Sequence, residues 1–384
     1  MKKIVIAPDS FKESFTAMQA AVAIESGFKR VFPNAEYEKI PMADGGEGTV
    51  QSLVDALKGT PQSISVVGPL GDEVTAVYGL SGDGKVAIIE MASASGLHLV
   101  PPPKRNPLYT TTYGTGQLII DALEKEVEHI ILGIGGSATN DGGAGLAQAL
   151  GAKLLTREGT EIGYGGGALE TLWNIDISTM DPRLRHVKIE VASDVDNPLL
   201  GPLGASTIYG PQKGATVEMV NELEQCLAHY AEVIKKTLGK DVKDIPGAGA
   251  AGGLGAGLLS FLNADLKSGI TIVLEATRLK ERIAGADLVI TGEGRLDQQT
   301  IFGKTPIGVA KVAKEQGIFV LAFAGGLGKG HEHIFEHGID AAFSLVPGAM
   351  PLEDAMENGL NYLEGTAANV ARIMAMKQST NLVT

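Results

Sequence analysis

Hydrophobic and polar residues follow one another in blocks along this chain. Five times, a short apolar run rich in β-branched residues ends directly in a polar segment. The runs are KIVIAP, YEKIPM, HIILGI, VKIEVA and DLVI, and they lead into DSFK, ADGGEGT, GGSATNDGGAG, SDVDN and TGEGRLDQQT. Such apolar runs are typical of strands buried in a mainly parallel sheet. Because ligands bind beyond the carboxyl ends of such strands, the polar segments are candidate functional sites.

Strand and helix signals alternate regularly at both ends of the chain but not in its middle. Residues Pro61 to Met91 contain several strand-like runs in succession, and regular alternation returns at Ala286. Chain termini commonly lie close together, so a domain can be inserted into another one. The pattern predicts two α/β domains. One is a parallel-sheet domain formed by residues 1–67 and 286–384, and the other is an inserted mixed α/β domain of residues 68–285.

Composition and charge narrow the classes of function. The chain has 384 residues, of which 44% are hydrophobic, so it is long enough for two cores. Its formal net charge of −13 argues against a nucleic acid or a membrane surface as partner, since both require a basic face. The single cysteine, Cys226, excludes an internal disulfide, and no signal-peptide pattern is evident, so we expect a cytoplasmic location. The oligomeric state stays open.

The segment TGEGRLDQQTIFGKTP contains the densest group of charged side chains. Its carboxylates are Glu293 and Asp297, and its cations are Arg295 and Lys304. The ending GKT resembles a P-loop, but that motif requires glycine where this chain has Gln298. Because the segment joins a predicted strand to a predicted helix, it is a candidate site, and a charged connecting loop is the alternative.

The glycine-rich segment after HIILGI is a candidate anion site. Gly133, Gly135 and Ala138 fit a GxGxxA variant of the dinucleotide motif. Main-chain N–H groups at a helix N-terminus bind phosphate or carboxylate without side-chain charge. Ser137 and Asn140 add side-chain hydrogen-bonding groups. A tight turn between packed elements is the alternative, and a dinucleotide-binding dehydrogenase is the alternative function.

Acidic side chains follow two further strands. In ADGGEGT, Asp44 and Glu47 are suited to hold Mg²⁺ or to contact hydroxyl groups, although Asp44 can instead cap the next helix. In SDVDN, Asp194 and Asp196 are suited to take a proton from an attacking hydroxyl or to bind a metal ion. An Asx-turn is the alternative for this second pair.

Two other segments complete the set of candidates. DSFK places Ser10 and Lys12 after the first strand, and Lys12 is one of few cations in these segments, so we expect it to meet an anion. His333, Glu336 and His337 fit the H-x-x-E-H pattern of inverted zinc peptidases. A surface helix is the plainer interpretation of that last pattern.

Eight motifs together resemble those of the bacterial type-I glycerate kinases. In chain order they are APDSFKES, ADGGEGT, IEMASASGL, TTYGTGQLI, GIGGSATNDGGAG, GPQKGA, PGAGAAGGLGAG and TGEGRLDQQTIFGKTPIGVA. The resemblance covers essentially the whole chain. It implies a flavodoxin-like or Rossmann-like domain with a second α/β domain. It also implies phosphoryl transfer from ATP to D-glycerate, with the 2-hydroxyl favoured, while the 3-hydroxyl or a related small hydroxy acid stays open.

The resemblance also implies roles for the candidate residues, in a Mg²⁺-assisted transfer at an interdomain cleft. Asp194 is the first candidate for the base and Asp297 the second, and Lys12 is the third candidate catalytic residue. The acid substrate is assigned to Ser10, Lys12 and Arg295. The nucleotide phosphates are assigned to Gly135, Gly136, Ser137, Thr139, Asn140 and Lys304. Metal or hydroxyl contacts are assigned to Asp44, Glu47 and Glu293.

Overall fold

The computed structural model describes residues 1–44 and 48–380, with side chains as far as residue 376. Contacts divide the chain into two compact units. The split unit comprises Met1–Lys58 and Ser268–Thr384, and the inserted unit comprises Gly59–Lys267. Every helix in the described ranges is too short or too polar to cross a membrane.

The elements are numbered here in chain order. The strands are β1 (Lys3–Ile6), β2 (Glu36–Lys39), β3 (Thr60–Val67), β4 (Glu73–Leu80), β5 (Val86–Glu90), β6 (His129–Gly133), β7 (Lys153–Leu155), β8 (Asn174–Asp176), β9 (Lys188–Ala192), β10 (Asp265–Lys267), β11 (Leu288–Leu296), β12 (Phe319–Leu327) and β13 (Ala341–Ser344). The α-helices are α1 (Ala17–Lys29), α2 (Thr49–Ala56), α3 (Ala92–Ser95), α4 (Tyr113–Glu124), α5 (Ala144–Ala149), α6 (Ala205–Tyr209), α7 (Val217–Leu238), α8 (Ala250–Phe261), α9 (Gly269–Ala276), α10 (Leu279–Arg282), α11 (Thr305–Lys314), α12 (Leu352–Glu357) and α13 (Gly359–Thr380).

The split unit is built on a parallel sheet with the strand order β13–β12–β11–β1–β2. In the chain order of this unit alone, that is the 2-1-3-4-5 arrangement of flavodoxin-like sheets. The order reverses between β1 and β11, which pair in parallel from Ile4↔Leu288 to Ile6↔Ile290. In such sheets the ligand crevice lies outside the carboxyl ends of the strands at this reversal.

Both faces of β1 are covered, which explains why this central strand of the split-unit sheet is apolar after Lys3, whereas the edge strand β2, with the sequence EYEK, is partly exposed. Consecutive residues of β1 are fully buried, so neither face of that strand meets water. Helix α1 begins at a capping box formed by Thr16 and Gln19, and it packs against α13. Gly27 permits this close approach, since a Cβ there would lie 2.5 Å from the carbonyl oxygen of Glu364.

The inserted unit has a mixed sheet with the order β10–β9–β6–β5–β4–β3. Strands β5, β6, β9 and β10 pair in parallel, whereas β3, β4 and β5 pair antiparallel. A separate antiparallel pair is formed by β7 and β8. These two architectures confirm the predicted fold class, a parallel-sheet domain formed by both chain ends with a mixed α/β domain inserted.

The unit boundaries differ from those expected from the sequence. Strand β3 pairs with β4 along its whole length, from Thr60↔Leu80 to Val67↔Glu73, so residues 59–67 lie in the inserted unit. Helices α9 and α10 pack against α11, so the segment from Ser268 onward lies in the split unit. Hydrophobic patterning shows the elements but not which sheet each of them joins.

Candidate functional site

A cavity of about 540 Å³ opens in the split unit at the predicted crevice. Its lining begins just beyond β1, with residues Asp9–Phe15, and includes Glu293 to Arg295 from β11. Asp44, which follows β2, and Lys304, which precedes α11, also line it. Polar residues that follow β1 and β2 and polar residues in the last part of β11 therefore meet in one place, at the end of the sheet where ligands bind in α/β folds.

Asp9 is the most enclosed charged group of this cavity. It is 5% exposed, and its main-chain N–H donates to the carbonyl of Gly292, which fixes it beside β11. Its carboxylate accepts hydrogen bonds from the Thr305 hydroxyl and from the N–H of Ser10. Burial raises the pKa of Asp9 from 3.8 to about 6, and the charge of Asp44 adds to the shift.

Glu293 projects from β11 into the same cavity. It is 7% exposed and accepts a hydrogen bond of 2.9 Å from the Thr300 hydroxyl. Lys304 Nζ lies 3.6 Å from its Oε2 atom. Burial raises the pKa of Glu293 to about 7; Lys304 and the hydrogen bond from Thr300 oppose this shift, and the negative charges of Asp9 and Asp44 add to it. The cavity thus holds two buried carboxyl groups, Asp9 and Glu293, whose charged forms are disfavoured.

The three predicted cations, Lys12, Arg295 and Lys304, differ in their exposure and in their partners. Lys12 lies exposed at the tip of the loop after Ser10, and Lys304 lies beside Glu293. Arg295 is exposed and pairs with Asp297, with 3.2 Å between Nε and Oδ2. Ser10, Lys12, Arg295 and Lys304 all line the cavity.

Asp297 has a structural part in this segment. Its side chain caps a 3₁₀ helix of residues 298–301, accepting a hydrogen bond of 2.9 Å from the N–H of Gln299. It is not among the residues that line the cavity. The capping interaction is the interpretation that the geometry favours for Asp297.

The glycine-rich segment Gly135–Asn140 lies in the inserted unit, after β6. Gly135 and Gly136 are exposed, whereas Ser137, Thr139 and Asn140 are buried. The segment bridges to residues 95–97, through Leu97 N–H to Gly136 O and Ala138 N–H to Ser95 O. The next helix, α5, begins only at Ala144 and has six residues. The helix N-terminus expected to follow this segment directly is therefore displaced from it, which weakens the dinucleotide interpretation.

Buried side chains hold the far end of this segment in place. Thr110 donates to the carbonyl of Ala138, and Lys213 Nζ donates to the carbonyl of Thr139 at 2.6 Å. Lys213 is 1% exposed, and burial lowers the pKa of its ammonium group to about 7. Asp141 is equally buried and accepts hydrogen bonds from the main chain and hydroxyl of Thr112. This network fixes the backbone from Ala138 to Asp141.

Two further acidic candidates, Asp194 and Asp196, are not part of the cavity lining. Asp194 follows β9 in the inserted unit and is exposed, as is Asp196. Glu47 lies outside the described residues. Asp44 and Glu293 are the two predicted metal contacts that the structure brings to one cavity.

Preformed metal centres are absent from the part of the chain that the structure describes, where no three His, Cys, Asp or Glu side chains are grouped to hold an ion. His333, Glu336 and His337 lie in a short 3₁₀ helix, His331–His337, rather than in the catalytic helix of a zinc peptidase. The zinc-peptidase alternative therefore has no ligand set in the described ranges.

Sequence reasoning missed several groups of the site. Asp9 was visible as the first polar residue after a buried strand, yet no role was assigned to it. Thr300, whose hydroxyl donates to Glu293, was visible as a hydrogen-bonding residue of the same segment. Thr305, whose hydroxyl donates to Asp9, gave no signal, because the two residues lie 296 positions apart in the sequence. The apolar part of the lining, which includes Leu345 and Met356, was also missed.

Comparison with known proteins gives one consistent result. A model of the glycerate kinase family matches residues 4–375. A glycerate kinase from Halalkalibacterium halodurans is 64% identical over 99% of this chain and 100% of its own length. The glycerate 2-kinase of Escherichia coli K12 is 56% identical over 97% of this chain and 98% of its own. A Salmonella typhimurium LT2 protein assigned as glycerate kinase 2 has a crystal structure that matches with a TM-score of 0.91 and 54% identity, covering 98% of this chain and 99% of that one. On these matches, this chain belongs to the glycerate kinase family.

Proposed function

We propose that this protein transfers the γ-phosphoryl group of ATP to the 2-hydroxyl of D-glycerate in a Mg²⁺-assisted reaction. The names of the relatives, glycerate kinase and glycerate 2-kinase, support the substrate and the acceptor position. The observation that carries the proposal is the split-unit cavity, where Asp9, Asp44 and Glu293 lie among Lys12 and Lys304. Phosphoryl transfer requires such a mixture, because it depends on positioning and charge neutralisation rather than on a covalent intermediate.

The carboxyl groups of the cavity fit a Mg²⁺ ion that arrives with the nucleotide. Magnesium is usually held by one or two carboxylates together with substrate phosphates, not by an all-protein cage. Burial raises the pKa values of Asp9 and Glu293 although Lys304 lies 3.6 Å from Glu293, and a divalent cation bound beside them would favour their charged forms. When bound, the ion neutralises charge on the phosphoryl group being transferred. Asp44 and Glu293 are the residues that we propose hold it.

The protein's own residues perform the other steps. Lys12 and Lys304 offset the negative charge of phosphate oxygens, since both line the cavity that contains the carboxyl groups. Asp194 remains our candidate for the group that orients the acceptor hydroxyl and accepts its proton. It is exposed at the carboxyl end of a parallel strand, where a substrate can reach it.

Analysis of the reaction product tests the proposal directly. Purified protein is incubated with ATP, MgCl₂ and D-glycerate, and the product is identified by ³¹P and ¹H NMR against authentic 2- and 3-phosphoglycerate. We expect 2-phosphoglycerate, with no turnover when L-glycerate replaces D-glycerate. Formation of 3-phosphoglycerate would correct the acceptor position alone. A lack of any phosphorylated acid would refute the kinase proposal.

A further inference from the structure

The split-unit cavity is lined by both charged and apolar side chains. The charged ones are the carboxylates and lysines described above. We call the apolar ones the apolar wall, and they are Phe11, Phe15, Leu345, Val346, Leu352 and Met356. Leu345 and Val346 follow β13 at one edge of the sheet, whereas Asp44 follows β2 at the other edge. Leu345 is 3% exposed and Leu352 is 73% exposed, so the wall extends from the core to the surface.

The apolar wall is held in shape before any ligand binds. The rings of Phe11 and Phe15 stack with centroids 4.5 Å apart. A tight loop joins them, closed by the N–H of Phe11 to the carbonyl of Phe15 and by the reverse bond. Ser14 Oγ then donates to the carbonyl of Met356 at 2.6 Å, which ties this loop to α12. Such preorganisation lowers the entropy that a ligand loses on binding.

The chemistry of the acid substrate does not match this wall. In glycerate every carbon atom bears oxygen, so the molecule has no apolar face to bury. A volume of about 540 Å³ lies within the range of pockets that hold drug-sized ligands and cofactors, roughly 300–1,000 Å³. A site for a three-carbon acid alone would leave the apolar wall against water. The other substrate of a kinase, a nucleotide, has both a flat apolar base and a charged phosphate chain.

We propose that the split-unit cavity is the nucleotide site, with the base and ribose against the apolar wall and the phosphates toward Lys12 and Lys304. The sequence assigned the nucleotide phosphates to Gly135–Asn140 and Lys304, and the acid to Lys12. The present assignment keeps Lys304 on the phosphates, moves Lys12 to them and removes Gly135–Asn140. It rests on the proposed kinase function. It also leaves the acid substrate to groups outside the apolar wall, among which Asp194 is the proposed base.

Paired substitutions in the wall test this inference through the kinetics of each substrate. Val346→Ser with Met356→Ser removes apolar surface without adding charge, and the matched control is Ile373→Ser, which replaces a residue 64% exposed on α13. We expect the double variant to raise the KM for ATP about tenfold, since burial of one apolar side chain contributes that order of affinity. The KM for D-glycerate should change less than about twofold. The control should match the wild type for both substrates.

The opposite kinetic result would overturn the inference. A raised KM for D-glycerate with an unchanged KM for ATP would make the cavity the acid site. Unchanged values for both substrates would show that neither uses the wall. If the wild type does not phosphorylate D-glycerate at all, the proposed function fails, and the location of nucleotide binding is then decided by the next experiment.

Photolabelling of the wild-type protein gives an answer that does not depend on a variant folding. The probe is 8-azido-ATP with MgCl₂, and the labelled peptides are identified by mass spectrometry with and without excess ATP. We expect ATP-protected label within residues 11–15 or 345–359. Protected label confined to residues 133–145 would place the base at the glycine-rich segment and overturn the inference. Leu352→Ser, at a site 73% exposed and so tolerant of change, should lower the protected labelling.

Discussion

At the scale of single residues, the unusual feature of this protein is a pair of carboxyl groups that the fold buries in its cavity. Asp9 and Glu293 are buried, and each has a pKa raised toward neutrality. Hydrogen bonds from Thr305 and Thr300 oppose the shifts without cancelling them. A structure selected for stability alone would replace such groups, so their retention is consistent with a ligand that completes them.

The ionised form of Asp9 should therefore lower the free energy of unfolding of the ligand-free protein at neutral and alkaline pH. Its folded-state pKa of about 6 lies above the usual 3.8, so folding is penalised where the group is ionised in both states. The penalty is complete above pH 6 and disappears below about pH 4. We predict that Asp9→Asn unfolds in urea with a free energy about 1–3 kcal/mol higher than that of the wild type at pH 8, in the presence of a chelator. The gain should shrink as the pH falls from 6 to 4, and kinase activity should be lost.

A control with the opposite sign is available in the inserted unit. Asp83 is exposed, and the hydrogen bond of 2.6 Å from Ser81 lowers its pKa. Asp83→Asn should therefore not gain stability at pH 8, and it should keep its kinase activity. If Asp9→Asn and the wild type have equal free energies of unfolding at both pH 4 and pH 8, the ionised form of Asp9 does not destabilise the folded protein.

Two aspartates that follow strands can be told apart by their effect on turnover. We predict that Asp194→Asn lowers kcat by about 100-fold or more, because loss of a positioned proton acceptor has effects of that size. Asp297→Asn should keep kcat within about threefold, since asparagine also caps helices. Thermal unfolding of both variants should match that of the wild type. A near-normal kcat for Asp194→Asn would remove it from the base role, and a large loss in Asp297→Asn would restore Asp297 to it.

At the scale of elements, the sequence predicted features that depend on neighbouring residues, such as helix caps, and missed the pairing of strands that lie apart in the sequence. Helix α7 illustrates the local features, because its N-cap, Thr216, and the apolar spacing of the residues after it are properties of neighbouring residues. A strand before Glu293 was expected from the same kind of pattern, but β11 continues to Leu296, so Glu293 lies within the strand. The pairing of β3 with β4 did not follow from such patterns, since it depends on partners that no short window contains.

The glycine-rich segment after β6 shows the same limit. Its composition predicted an anion loop at a helix N-terminus, but its backbone pairs with residues 95–97, and α5 begins later. Lys213 is distant from it in sequence, yet its ammonium group fixes the carbonyl of Thr139. Glycine frequency indicates where the backbone is crowded, and it does not tell whether a ligand or another part of the protein is the neighbour.

At the scale of the whole molecule, each compact unit has a core of its own. One buried cluster joins Ile4, Phe28 and Phe323 within the split unit. The inserted unit has two, one around Leu132 and Leu254 and the other around Leu227 and Tyr230. The inserted unit is also continuous in sequence, and its first and last strands, β3 and β10, form the two edges of its sheet. A segment with these properties meets the requirements for folding alone.

We predict that residues 59–267, expressed alone, fold to a soluble domain with one cooperative urea transition, because the two buried clusters described for this unit consist of its own residues. Unfolding should be monitored by circular dichroism and by the fluorescence of Trp173. A gradual transition with binding of a hydrophobic dye would contradict the prediction. If the domain folds, it also shows whether the nucleotide binds at the split-unit cavity or at the glycine-rich segment Gly135–Asn140. With the apolar wall and Lys12 absent, it should not bind a fluorescent ATP analogue, whereas binding of wild-type strength would return the nucleotide to the glycine-rich segment.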